Sequence, residues 1–100
     1  MFSGGDYHEV ARWLENFATS HAKREDPHAE APLDCEGPRE GRSYGLAVRL
    51  GERRSPGIDL DFAEARDRRG SLAWCQALAA RVRGLVREIA GQPAGARRSA

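Results

Sequence analysis

"SYGLAVRL", residues 43–50, alternates strictly: Tyr44, Leu46, Val48 and Leu50 fall on one side of an extended chain, and Ser43, Gly45, Ala47 and Arg49 on the other. A period of two marks a strand with one buried face. The same period returns in "GIDLDF", residues 57–62, where Ile58, Leu60 and Phe62 alternate with Asp59 and Asp61. It also runs through residues 28–36, where Ala29, Ala31, Leu33 and Cys35 alternate with Glu30, Pro32, Asp34 and Glu36. Pro32 has no amide hydrogen for a ladder, so this first strand is expected at a sheet edge or partly irregular. "GPREGR", residues 37–42, and "GERRSPG", residues 51–57, are polar turns between the strands.

On either side of the strands the period becomes helical. Val10, Trp13, Leu14, Phe17 and His21, with Ala11 and Ala18 beside them, form one stripe, and Arg12, Glu15, Asn16 and Lys23 take the wet side. Asp6 followed by Glu9 has capping-box spacing, and Asp26-Pro27 is a stop, so a helix is expected over about 6–23. "AEARDRRG", residues 63–70, reads as the link out of the third strand. Ser71 is a good N-cap for a second helix carrying Leu72, Cys75, Leu78, Ala79, Val82, Leu85, Val86 and Ile89 inward and Arg81, Arg83 and Arg87 to solvent. Gly91 and Pro93 end it.

The element order predicts an α+β fold, a two-layer helix-strand-strand-strand-helix arrangement whose three-stranded antiparallel meander carries both helices on one face. The inner face would hold Leu33, Tyr44, Leu46, Val48, Leu50, Ile58, Leu60 and Phe62. Glu30, Asp34, Gly45, Ala47, Arg49, Asp59 and Asp61 would face away from the helices. A chain of 100 residues suits one domain, here 1–92, followed by a loose tail over 93–100.

Composition narrows the function classes. With 40% hydrophobic and 31% charged residues the chain is neither a disordered tail nor a membrane protein, and no apolar run approaches the ~20 residues of a bilayer span. "MFSGGDYHEV" lacks the basic and apolar regions of a signal peptide, which sets a cytoplasmic location as the expectation. A net charge of +1 argues against a strong general attraction to phosphates, yet residues 1–40 hold nine acids against four bases and residues 41–100 twelve arginines against six acids. The arginine usage also fits a GC-rich, bacterial style of coding. Cys35 and Cys75 are far apart and outside any C-x-x-C pattern; they read as small buried apolar groups, with a disulfide left open because both point inward.

Asp59 and Asp61 lie on one strand face, roughly 7 Å apart at the backbone. Such a pair could assist a hard cation, but Ca²⁺ wants six or more oxygens and Mg²⁺ usually recruits a phosphate, so a solvated face is the plainer reading. His8, His21 and His28 with Cys35, Cys75 and Asp34 are zinc-capable types without the paired spacing of a zinc site, and no metal or cofactor is called for. "SGG", residues 3–5, lacks a phosphate loop's lysine, and no serine or cysteine sits in a nucleophile elbow. Trp13 and Trp74 read as packing residues bordering the core, with ligand stacking by Trp74 the sharper alternative.

The helix-strand-strand-strand-helix layout resembles that of double-stranded-RNA-binding domains and of a family of small nucleoid-associated proteins. Gly37-Pro38 stands where the RNA-binding family has a Gly-Pro turn. No histidine follows it, and "SLAWCQALA", residues 71–79, lacks the lysine cluster with which that family grips phosphate.

Three functions follow as expectations. The first is a non-catalytic interaction module that binds a protein partner, or itself as a homodimer, through the outer sheet face, with Glu30, Arg42, Arg49, Asp59 and Asp61 as the binding residues. The second is nucleic-acid binding through Arg42, Arg49, Arg53 and Arg54 with the arginines of the second helix. The third is a metal-dependent enzyme built on Asp59 and Asp61.

Overall fold

The structure, a computed structural model, describes residues 3–91. Its elements are α1 (Ser3–Glu25), β1 (Leu33–Asp34), a 3₁₀ turn (Gly37–Arg39), β2 (Ser43–Leu46), β3 (Arg49–Leu50), β4 (Arg53–Arg54), β5 (Ile58–Asp61), α2 (Phe62–Arg68) and α3 (Leu72–Ala90). The main sheet has the order β1-β2-β5 and is antiparallel throughout, and β3 and β4 pair as a second, two-stranded ladder. The expected loose tail falls outside the described residues.

Side-chain period decides which way each element faces. On α1 the residues Tyr7, Val10, Ala11, Leu14, Ala18 and Ala22 are buried, at spacings that keep one helix face against the sheet. On α3 the buried set is Leu78, Ala79, Val82, Val86 and Ile89. All of these but Ala79 join the α1 residues and Tyr44, Leu46, Val48 and Ile58 in one hydrophobic cluster, so the helices share a single face of the strands. Tyr7 and Tyr44 stack with ring centroids 4.7 Å apart and planes 8° from parallel, and Phe62 meets Tyr7 edge-on at 5.4 Å. Tyr44 Oη donates to Tyr7 O at 2.8 Å. Tyr7 Oη, with one hydrogen to donate, lies 2.5 Å from Ser43 O and 3.0 Å from Arg39 O, tying α1 to both ends of the turn before β2. Burial pushes both tyrosine hydroxyls above their ordinary ionisation range.

"SYGLAVRL" is continuous on one side and broken on the other. Towards the first strand the register never slips: Glu30 pairs with Arg49, Ala47 N donates to Pro32 O at 3.2 Å, Leu33 faces Leu46 and Asp34 faces Gly45. Pro32 has no hydrogen to return to Ala47, so regular pairing lapses there and resumes at Leu33. Towards the return strand, Leu46 pairs with Ile58 and Arg49 with Arg54, which leaves Ser55, Pro56 and Gly57 opposite only Ala47 and Val48. One residue is in excess, and the result is a bulge carrying a proline. The slip reverses the sidedness of the return strand, since Arg54 would otherwise share the inner face with Ile58. Beyond it, Gly51 turns the chain at φ 65, the conformation a tight hairpin asks of glycine.

Four sequence expectations need correction. Phe62 is not the end of a strand: "FAEARDR" forms α2, capped by Asp61, whose carboxylate accepts from Glu64 N at 3.1 Å. Phe62 still reaches the core at 8% exposure, because the first helical residue can point the same way as the strand before it. The signal was Asp61-x-x-Glu64, the spacing seen at Asp6-x-x-Glu9. There the helix starts earlier, at Ser3, so Asp6 lies inside it; the Asp6 side chain is outside the described residues.

Leu72, the first residue of α3, is 72% exposed and does not belong to the inward stripe, whose buried members begin at Leu78. Cys35 and Cys75 are free and half-buried, not buried; Cys75 Sγ donates to Arg69 O at 3.4 Å.

Candidate functional site

The face turned away from the helices is laid out in cross-strand rows. Asp34 of β1, Gly45 of β2 and Asp59 of β5 stand side by side. Two steps along the same face, past Ala47, Glu30, Arg49 and Arg54 form a second row across the neighbouring pairs. Register alone puts these residues together, from three segments far apart in the chain.

Arg39, from the 3₁₀ turn, lies across the first row. Its Nη2 donates to Asp59 Oδ1 at 2.7 Å, its Nε stands 3.5 Å from Asp34 Oδ2, and its Nη1 donates to Ser43 Oγ at 3.2 Å. The guanidinium rests on Gly45: a Cβ there would come within 2.9 Å of Arg39 Cζ and 3.0 Å of Nε. The Arg39 side chain is 30% exposed against 61% for Asp34 and 80% for Asp59, so the arginine is laid flat under the carboxylates that hold it. The bond to Asp59 pushes its ionisation still higher. Sequence reasoning passed over Arg39. The available signal was Gly45, since a glycine in mid-strand commonly marks a place where another group comes close.

In the second row Arg49 Nη2 donates to Glu30 Oε1, which holds the Glu30 carboxyl below the ordinary carboxylate range. Ala47, between the rows, is only 4% exposed although it stands outside the hydrophobic cluster. The centre of this face is therefore not bare. Beside it an open groove of about 320 Å³ runs along the sheet edge, lined by Glu15, Thr19 and Lys23 of α1 and by Glu30, Pro32 and Arg49.

Asp59 and Asp61 have separate tasks, because Asp59 binds Arg39 while Asp61 caps α2. Asp61→Ala is expected to lower unfolding stability by about 0.5–2 kcal/mol, the usual cost of a lost N-cap. Asp59→Ala should leave the melting temperature close to wild type, since its pair is at the surface. Thermal unfolding of the two variants side by side checks this; equal losses would refute the division of roles.

The arginines proposed for nucleic acid are divided as well. Arg53 is half-buried, and its Nη1 donates to Ile89 O at 3.2 Å, capping the C-terminal end of α3. Arg49 is held by Glu30, while Arg42 and Arg54 are exposed. On α3, Arg81 is exposed, but Arg83 and Arg87 do not simply face water: they converge on Glu25 of α1, at 3.7 and 3.0 Å.

Trp13 and Trp74 stack 6.4 Å apart at the border of the core, and both are half-buried. His21 packs against Phe17 at 4.7 Å, and burial, with Arg24 and Arg83 nearby, lowers its ionisation. Among the described residues no group of three or more His, Cys, Asp or Glu is placed to share a metal ion, and no helix is long and apolar enough to cross a membrane.

Fold and face together define a small two-layer α+β domain with an ordered, charged sheet surface. Comparison with protein-family models, with curated proteins and with solved structures returns no match.

Proposed function

We propose that the protein is a small non-catalytic interaction module that binds a protein partner, or a second copy of itself, through the outer face of the main sheet. The observation that supports this reading is the pair of in-register rows, Asp34-Gly45-Asp59 and Glu30-Arg49-Arg54, on the side of the sheet away from the helices. Both signs of charge sit on one surface, which is what a self-complementary contact requires. Arg42, exposed at the end of the turn that leads into the central strand β2, borders the same surface.

Light scattering at low and high salt tests the self-associating form. The expected result is a mass twice 11.0 kDa at low salt that falls towards 11.0 kDa at high salt and is lost in Arg49→Glu. A particle of 11.0 kDa at both salts would end the homodimer reading. A salt-dependent mobility shift with RNA or DNA would instead favour the exposed Arg42 and Arg54 as a phosphate contact.

A further inference from the structure

We propose that the Asp34-Gly45-Asp59 row is a guanidinium cradle held closed in cis by Arg39, and that the partner of the outer face is an arginine-bearing segment that puts its own guanidinium in Arg39's place. The inference rests on the outer face being the docking surface.

The chemistry of the row selects its occupant. Asp34 and Asp59 offer carboxylates from the two flanking strands, Ser43 adds a hydroxyl oxygen, and Gly45 supplies a flat floor with no Cβ. A planar fork of donors can lie on that floor and reach both sides at once. An ammonium, a point charge on a flexible stem, gains nothing from the flatness. Arg39 shows the fit: one guanidinium contacts all three side chains while lying where a Cβ would otherwise be.

The cis occupant is replaceable. Arg39 sits on a turn bounded by Gly37 and Gly41, both at positive φ (65° and 78°), so the turn's shape depends on two residues without side-chain hindrance. Its ion pairs are partly exposed, and pairs of that kind are weak and screened by salt. Exchanging one arginine for another on the same carboxylates leaves the count of charge pairs unchanged, so modest additional contacts decide which is bound. Glu36, Glu40 and Asp61, all exposed, surround this end of the face and would attract a basic segment.

The test is a backbone-amide NMR titration of the full chain with N-acetyl-arginine amide, using N-acetyl-lysine amide as the control. In Arg39→Ala, saturable shifts at Asp34, Gly45 and Asp59 are expected, with a midpoint at least about fivefold lower for the arginine probe than for lysine or for wild type with arginine. Adding Gly45→Ala to Arg39→Ala should abolish the shifts, because a Cβ then occupies the floor. Arg39→Lys, which keeps a cation on the turn, guards against loss of the turn's fold and should also admit the arginine probe. No saturable shift in either Arg39 variant, or equal response to arginine and lysine, overturns the proposal. If the cradle fails while salt-dependent association through the face persists, the cradle alone is wrong; a cradle that binds arginine on a face that docks nothing would sink the docking reading instead.

Discussion

Leu46→Ala is expected to lower unfolding stability by about 2–5 kcal/mol, enough to bring a domain of ordinary stability, about 5–15 kcal/mol, close to its limit. Leu46 is fully buried on β2, the central strand, with Leu33 of β1 on one side and Ile58 of β5 on the other. Truncation would open a cavity bounded by backbone on two sides, and a central strand cannot move to fill it without breaking a ladder. At about 4–8 °C per kcal/mol for a chain of this size, the melting temperature should fall by at least about 8 °C. Leu50→Ala, at a half-buried position of the short β3 ladder, should cost clearly less. Urea unfolding of both variants measures the difference, and a Leu46→Ala loss no larger than that of Leu50→Ala would contradict the sheet order described.

Ser55→Ala is expected to cost about 1–3 kcal/mol, the penalty for leaving a buried donor without an acceptor. At the bulge, Ser55 N donates to Val48 O at 2.9 Å, while Ser55 Oγ accepts from Val48 N at 3.0 Å and donates to Pro56 O at 3.0 Å. One side chain thus takes the ladder position that the extra residue removed. Ser55 is 5% exposed and Val48 fully buried, so water cannot readily replace the hydroxyl. Faster hydrogen exchange at the Val48 amide, with a lower melting temperature, is the expected signature. Ser55→Thr keeps the hydroxyl and should retain most of the protection. An unchanged Val48 exchange rate in Ser55→Ala would show that the serine does not close the bulge.

That serine also shows where local reasoning stops. "GERRSPG" is legible as a turn from its glycines and proline, but a hairpin and a bulge share those residues. Which of them forms depends on how many residues each strand spends between fixed pairs, here Leu46 with Ile58 and Arg49 with Arg54. The consequences are large. Arg53 goes beneath the sheet to cap α3, and Arg54 goes outward beside Arg49. Helix α2 was missed for a different reason: Ile58, Leu60 and Phe62 satisfy a period of two up to Phe62, and the same Phe62 position satisfies the first turn of a helix. The Asp61 cap decides between them.

Sidedness belonged to the amino-acid sequence. Within α1, α3, β2 and β5 a period near 3.6 or of two sets which side chains share a face before any segment has met another, because backbone geometry sets the direction in which each points. The α+β order, the inward Tyr44, Leu46, Val48 and Ile58, and the outward Asp59 all follow from this local rule. Partnership came only with tertiary structure. Asp34, Gly45 and Asp59 come from three separate strands, and Arg39 reaches them from a turn. A charge at the surface carries no local preference among the opposite charges it could meet; strand register, set by core packing and by the bulge at Ser55, makes that choice.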